Sequence, residues 1–363
     1  TTTEDLGGAT FGATSEFSAV AVVISPGLTV NSTGDAADAS PGDGNCDTGG
    51  TNSEGDPECT LRAAIGEING AGGDGATIDF AIPTSDPGYA TGPTAFTLTP
   101  VTPYPTIAQR LTIDGATQSQ HTTLPVIVID GSGAGASADG IRLGPGSGGS
   151  IINALTIHSF DQTAIEVDTS DDVTVTGSVL GLHADGDTEL GNRYGIYADT
   201  SVGLTVGGTT AAERNTIAAN DWGIALYNDS TDAVITGNHI GTDATGLLDR
   251  GNRFDGVFVV NSSSRARVGG STAAEANVVA GNGSDGIYVG SGSMADVVIE
   301  GNLVGVGVDG TTAIANDSAG INVGWGQTTS IVDNVIGPAG DGIVLANHDD
   351  AVITGNHIGT DPT

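Results

Sequence analysis

The chain has 363 residues, a formal net charge of −35 and nine cationic residues, all of them arginine. A surface this acidic repels nucleic-acid phosphates and anionic membranes, which sets both partner classes aside. No apolar run approaches the roughly 20 residues that a membrane helix needs, so no membrane insertion is expected.

In chain order, residues 1–29 form an N-terminal segment. Its apolar stretch Ala19–Ile24 reads as a strand, broken by Ser25-Pro26-Gly27, and is a candidate for docking on a neighbour by strand addition. Residues 30–125 do not repeat. Cys46 and Cys59 lie 13 apart with no histidine nearby. Two thiolates cannot complete a zinc site and the spacing is not a redox Cys-x-x-Cys, so a disulfide is expected, and with it an oxidising compartment. Leu61, Ile65 and Ile68 fall at i, i+4 and i+7 and predict a short amphipathic helix that Gly70 ends. Such a helix would cap the first turn of a solenoid, whose open strand edges need cover.

From about residue 126 to 363 one phrase returns: Gly, aliphatic, any residue, aliphatic. It reads Gly195-Ile196-Tyr197-Ala198, Gly223-Ile224-Ala225-Leu226, Gly256-Val257-Phe258-Val259, Gly286-Ile287-Tyr288-Val289, Gly320-Ile321-Asn322-Val323 and Gly342-Ile343-Val344-Leu345. A second phrase, Gly-Asn-x-aliphatic-Gly, recurs at Gly237, Gly301 and Gly355. Period-2 alternation points the aliphatic residues to one side of short strands. Self-similarity at this period, with 59 glycines and only seven phenylalanines, predicts an all-β parallel β-helix that needs no wide core.

Gly195 to Gly256 spans 61 residues, and Gly256 to Gly320 spans 64, so two kinds of coil alternate. One carries an insertion at 181–194, 241–255 and 305–319; the other carries Val-Gly-Gly-Ser/Thr-Thr-Ala-Ala-Glu at 206–213 and 268–275. Loops on alternate coils should project from one side of the rod, about 10 Å apart. Asn215, Asn238, Asn277, Asn302, Asn334 and Asn356 recur at one turn and are expected to form an internal ladder rather than a ligand site.

Val30-Asn31-Ser32-Thr33, Asp43-Gly44-Asn45-Cys46 and Cys59-Thr60-Leu61-Arg62-Ala63-Ala64-Ile65, followed by Leu111-Thr112-Ile113-Asp114-Gly115-Ala116-Thr117-Gln118, resemble the CSLREA domain of large exported bacterial and archaeal surface proteins. Thr60 and Ala63 depart from the Ser and Glu that name that group. The resemblance implies a secreted or cell-surface right-handed β-helix with a small disulfide-linked cap, and no shared catalytic motif.

Function is expected to be structural. The chain stops at Gly359–Thr363, inside a repeated phrase, and an uncapped β-helix end is an edge for end-to-end pairing with another copy. This predicts self-associating fibres or stalks with no catalytic residue; a polysaccharide lyase or glycoside hydrolase acting on acidic polysaccharide is the alternative. Arg193, Tyr194, Tyr197, Trp222, Arg253, Phe254, Phe258 and Tyr288 form a candidate glycan-binding face, because guanidinium groups beside aromatic rings suit uronate carboxylates and sugar rings. Mutual stacking of the rings is the plainer explanation of the same pattern. Calcium is the one cofactor the residues suggest: Asp43 and Asp47 crowd the cysteine loop, and Asp185 and Asp187 resemble part of an oxygen-ligand loop, without a full EF-hand at either place.

Overall fold

A computed structural model describes residues 27–72, 74–292, 295–324, 328–348 and 350–359. The segment proposed for strand addition, including Ala19–Ile24, lies outside these residues. The described chain is a right-handed parallel β-helix of three sheets, with 11, 11 and 8 strands. One coil runs Thr174–Thr176 in the first sheet, Val179–Leu180 in the second and Tyr194–Asp199 in the third, then returns to the first. Among the described residues the strands pair in parallel except for a short antiparallel ribbon between Tyr89–Thr91 and Thr94–Leu98; isolated antiparallel bridges close loops, as between Thr242 and Asp249. Strands before residue 126 belong to the same sheets as the repeats, so cap and rod share one core.

Register follows the recurring phrase. In the third sheet Ile141, Ile165, Ile196, Ile224, Val257, Ile287 and Ile321 stack coil upon coil and are buried. Their i+1 neighbours, Arg142, Glu166, Tyr197, Ala225, Phe258, Tyr288 and Asn322, therefore form one outward row.

The expected asparagine ladder stands at the corner between the first and second sheets. Each amide oxygen accepts from the backbone N–H and the amide of the preceding rung, as from Asn238 to Asn277 at 3.0 Å in both bonds. A second ladder, Asn192, Asn220, Asn252, Asn282 and Asn316, stands at the corner between the second and third sheets. Ser147, Ser170, Ser201 and Ser230 line the remaining corner. Glycine permits the close turn beside each ladder: at Gly241 (φ +84°) a Cβ would meet the Ala280 carbonyl and the Asn282 amide.

Helix α1 spans Leu61–Ala71, with the Thr60 hydroxyl accepting from Ala63 N at 3.0 Å. It ends two residues later than expected, at Gly72 in the left-handed conformation. Gly70 is instead a close-approach residue, since a Cβ there would sit 2.8 Å from the Pro41 carbonyl carbon. Glu67, fully buried in this helix, accepts from Gly42 N at 2.5 Å and Gly44 N at 2.6 Å. The Cys46–Cys59 disulfide is present. Among the described residues no helix is long and apolar enough to cross a membrane.

The insertions do not stand apart at the expected two-coil distance. Ala244 N donates to Gly186 O at 2.9 Å and Val308 N to Gly246 O at 3.0 Å, so successive insertions bond directly and roof the second sheet. Beneath that roof His239 is buried, its ring against Gly246 and neither nitrogen hydrogen-bonded among the described residues. Burial, then the nearby Arg214 charge, pushes His239 down to about 4. Between the ordinary value of 6.5 and 4, the unfolded chain takes up a proton that the folded state refuses, so stability falls as pH drops through this window. Replacing His239 with valine, the residue at 278 one coil on, should flatten that fall in urea titrations at pH 4.5 and 7.

The ladders carry a second prediction. Asn277→Ala leaves the Asn238 amide groups without their acceptor and strips donors from Ile235 O and Asn302 Oδ1. A loss of about 3 kcal/mol is expected by urea unfolding. Asn356→Ala, at a partly exposed rung, should cost less than Asn277→Ala in the same measurement.

Candidate functional site

The outward row of the third sheet changes character along the rod. Tyr197, Phe258 and Tyr288 lie on later coils, whereas Arg142 and Glu166 occupy the same row on the two coils before Tyr197. Arg142 is clamped by carboxylates on three sides: Asp168 at 2.7 Å, Glu166 at 3.3 Å and Asp139 at 3.9 Å. Glu166 and Asp139 are largely buried, with side chains 14% and 15% exposed.

This crowding decides the protonation of Glu166. Burial pushes its carboxyl up to about 8, a hydrogen bond and the negative charge of Asp139 add to the rise, and Arg142 opposes it. A neutral carboxylic acid therefore stands at neutral pH beside the Arg142-bound carboxylate of Asp168. Glu166 and Asp168 are two apart on one strand and leave the same face, their Cα atoms about 6.6 Å apart at the strand rise.

A cavity of about 400 Å³ opens over this cluster, lined by Asp139, Arg142, Glu166, Arg193, Tyr194 and Tyr197 among others. Gln162 and Arg193 also line the adjoining cavity of about 680 Å³, which continues past Asp221 to Arg253. The two hollows form one polar groove from the corner of the rod onto the third sheet.

The structure brings the candidate glycan-face residues together, but as a stack. Tyr194 lies 5.0 Å from Trp222, and Trp222 lies 4.4 Å from Phe254. Tyr194 also meets Tyr197, which continues through Tyr227 and Phe258 to Tyr288 with centroid separations of 5.1–5.6 Å. Arg193 sits over the Tyr194 ring and Arg253 over the Phe254 ring, at 5.3 and 5.1 Å. Ring faces are thus taken up by one another and by guanidinium groups, and polar side chains are what the groove presents. Tyr227 is pushed up to about 12, first by burial and then by its closeness to Tyr194.

The candidate calcium residues do not assemble. Asp185 accepts from Asp187 N, Thr188 N and the Thr188 hydroxyl, and Asp187 pairs with Arg250 at 2.7 Å. Asp43 accepts from Asn45 and Asp47 from Gly49, as turn-closing caps. Among the described residues no group of three or more histidine, cysteine or carboxylate side chains is arranged to hold a metal.

Sequence reasoning missed Arg142, Glu166, Asp139 and Asp168. The signal was present: Gly140-Ile141-Arg142-Leu143 and Ala164-Ile165-Glu166-Val167 are earlier copies of the phrase, one with alanine in place of its glycine.

No protein-family model matches the chain, and no curated protein does. Among solved structures, the A-module of the Azotobacter vinelandii mannuronan C-5 epimerase AlgE4 is similar at 14% identity, over 84% of each chain, with a TM-score of 0.48. The Dettilon tailspike protein shares 16% identity over 84% of this chain and 59% of its own (TM-score 0.45), and a mutant of the periplasmic alginate epimerase AlgG 12% over 79% and 69% (TM-score 0.41). No residue role passes from them to this chain. The expectation of a self-associating fibre or stalk protein is corrected by these likenesses, which are to alginate-modifying enzymes and a tailspike. The expected lack of catalysis is weakened as well, by a carboxyl cluster of the Glu166 kind.

The Glu166 environment can be read without any substrate. As pH rises from the ordinary value of 4.5 towards 8, the unfolded chain releases this proton while the folded state keeps it, so stability falls with rising pH. Glu166→Gln should remove that share of the fall, melting above the parent protein at pH 8 and close to it at pH 4.5.

Proposed function

We propose that the chain acts on an acidic polysaccharide as a glycoside hydrolase, in the groove over Arg142 and Glu166. The observation that supports this most directly is a carboxylic acid kept neutral at neutral pH, one pleat away from the Asp168 carboxyl that Arg142 holds at 2.7 Å on the same face. Hydrolysis needs that pair: one group protonates the leaving glycosidic oxygen while the other takes a proton from the attacking water. Glu166 is the acid. Asp168, held by Arg142, is the base. As the glycosidic C–O bond breaks, the Glu166 proton goes to the leaving sugar. Water adds its hydroxyl to the anomeric carbon and gives its proton to Asp168. Arg193 at the groove wall offers guanidinium donors to a uronate carboxylate.

The test is incubation with a panel of uronate-containing polysaccharides. New reducing ends are expected, with activity declining as pH rises through about 8 and Glu166 loses its proton. Glu166→Gln and Asp168→Asn should each lower kcat at least 100-fold. Unsaturated uronate ends in place of reducing ends would mean elimination instead of hydrolysis, and no product from any polymer would refute the assignment.

A further inference from the structure

The groove has a periodicity of its own. Gly191-Asn192-Arg193-Tyr194 and Gly251-Asn252-Arg253-Phe254 are the same phrase, placed two coils apart. Their asparagines belong to the second ladder, whose intervening rung is Asn220, so Asp221 holds the position between the two arginines. The backbone confirms the order: Asp221 N donates to Asn192 O and Arg253 N to Asn220 O, at 3.0 and 2.8 Å. One column therefore reads Arg193, Asp221, Arg253 at intervals of about 4.8 Å, and the backbone positions of its two arginines stand about 9.6 Å apart.

Both arginines are exposed and both are held in place. Each guanidinium lies over the ring that follows it in sequence, and Arg193 also donates to Gln162 Oε1 at 3.0 Å. Arg253 reaches Asp221 at 3.5 Å and its side chain remains 71% exposed. A guanidinium carries five N–H donors in a fixed fork, so each retains capacity for a carboxylate after these contacts. Asp221, half-buried between them, repels a carboxylate presented at the middle position.

Resting on the hydrolase reading for the site this track leads to, we propose that Arg193 and Arg253 bind carboxylates on alternate residues of an acidic polysaccharide lying along the rod axis. The spacing of two coils corresponds to the length of an extended pair of pyranose rings. Asp221 makes the track selective for a polymer whose intervening residue turns a neutral face to the protein. The substrate class is thus an alternating uronate–neutral sugar polymer. A chain threaded along this column continues past Gln162 into the hollow over Glu166, which sets the register of cleavage.

Binding is measured by calorimetry in the Glu166→Gln background, so that no polymer is consumed, with hyaluronan as the alternating polymer, polygalacturonate as the homopolymer, and carboxyl-reduced hyaluronan. Hyaluronan should bind at least fivefold more tightly than polygalacturonate, and the reduced polymer at least tenfold more weakly than hyaluronan. Arg193→Gln and Arg253→Gln should each weaken hyaluronan binding about tenfold, while Asp221→Asn should narrow the gap between the two charged polymers. Arg265→Gln removes an exposed arginine paired with Asp232 outside the groove and should change nothing. Melting curves check that every variant is folded. Equal affinity for the two charged polymers, or unchanged binding in both groove arginine variants, overturns the proposal. Cleavage by the parent protein that persists in those variants would leave the hydrolase assignment standing while this one fails; arginine-dependent binding without cleavage would do the reverse.

Discussion

Every coil of this rod must turn three corners, and each corner buries backbone groups that no strand can pair. The two asparagine ladders and the serine column resolve this one rung at a time, each amide or hydroxyl oxygen accepting from the backbone N–H of the preceding rung. Because a rung has one position per coil, the ladders also fix the register of the strands between them. A slip of one residue would break three sets of buried hydrogen bonds and turn the isoleucine column of the third sheet outward. The outward row is therefore as strictly placed as the core, although all of it but Ala225 is partly exposed. That is how a groove assembled from five successive coils and a corner acquires defined geometry without a compact domain beneath it.

Electrostatics then distributes what the register has placed. With a net charge of −35, most carboxylates face water or close turns, as Asp185 and Asp309 do by accepting from the threonines that follow them. Arg142, Arg193 and Arg253, three of the nine arginines, share one connected groove. The groove is mixed in sign, with Asp139, Asp161, Glu189 and Asp221 on the same walls, so an anionic polymer meets attraction only at the guanidinium groups themselves. Long-range repulsion is screened within about 10 Å at ordinary ionic strength, so the local guanidinium groups decide where the polymer rests.

The fold was legible because its determinants are local and repeated. The Gly-aliphatic phrase announces the third sheet, and Asn215 through Asn356 announce one ladder. The second ladder escaped notice because its flanking residues differ from coil to coil: Asn192 and Asn252 precede arginine, Asn220 and Asn316 precede aspartate, and Asn282 precedes glycine. The aromatic residues were found, but linear spacing says nothing about ring tilt, and tilt is what turns a sugar platform into a mutual stack. Asp139 opens an Asp-Gly-aliphatic phrase that returns at Asp255, Asp285 and Asp341, and it lies only three residues before Arg142. Glu166 meets both from the next coil, and that packing across coils is what pattern reading does not supply. Gly70 was misread because a glycine that ends a helix and one that admits a neighbouring backbone look alike in sequence.

The position of Glu166 has a further physical logic. On the far side of its row stands Tyr197, whose own hydroxyl is pushed up by burial and by Asp199, so that neighbour contributes no charge. On the near side stands Arg142, which would normally hold a carboxylate ionised. Arg142 is shared, however: Asp168 takes the shorter contact and Asp139 faces the same guanidinium. One positive charge cannot stabilise three negative ones in a hollow walled by tyrosine rings. The proton stays on the member whose burial, closeness to Asp139 and modest share of Arg142 combine to disfavour charge, and that member is Glu166. Removing Asp139 or opening the hollow to water would favour the ionised form, whereas removing Arg142 would hold the proton still more firmly.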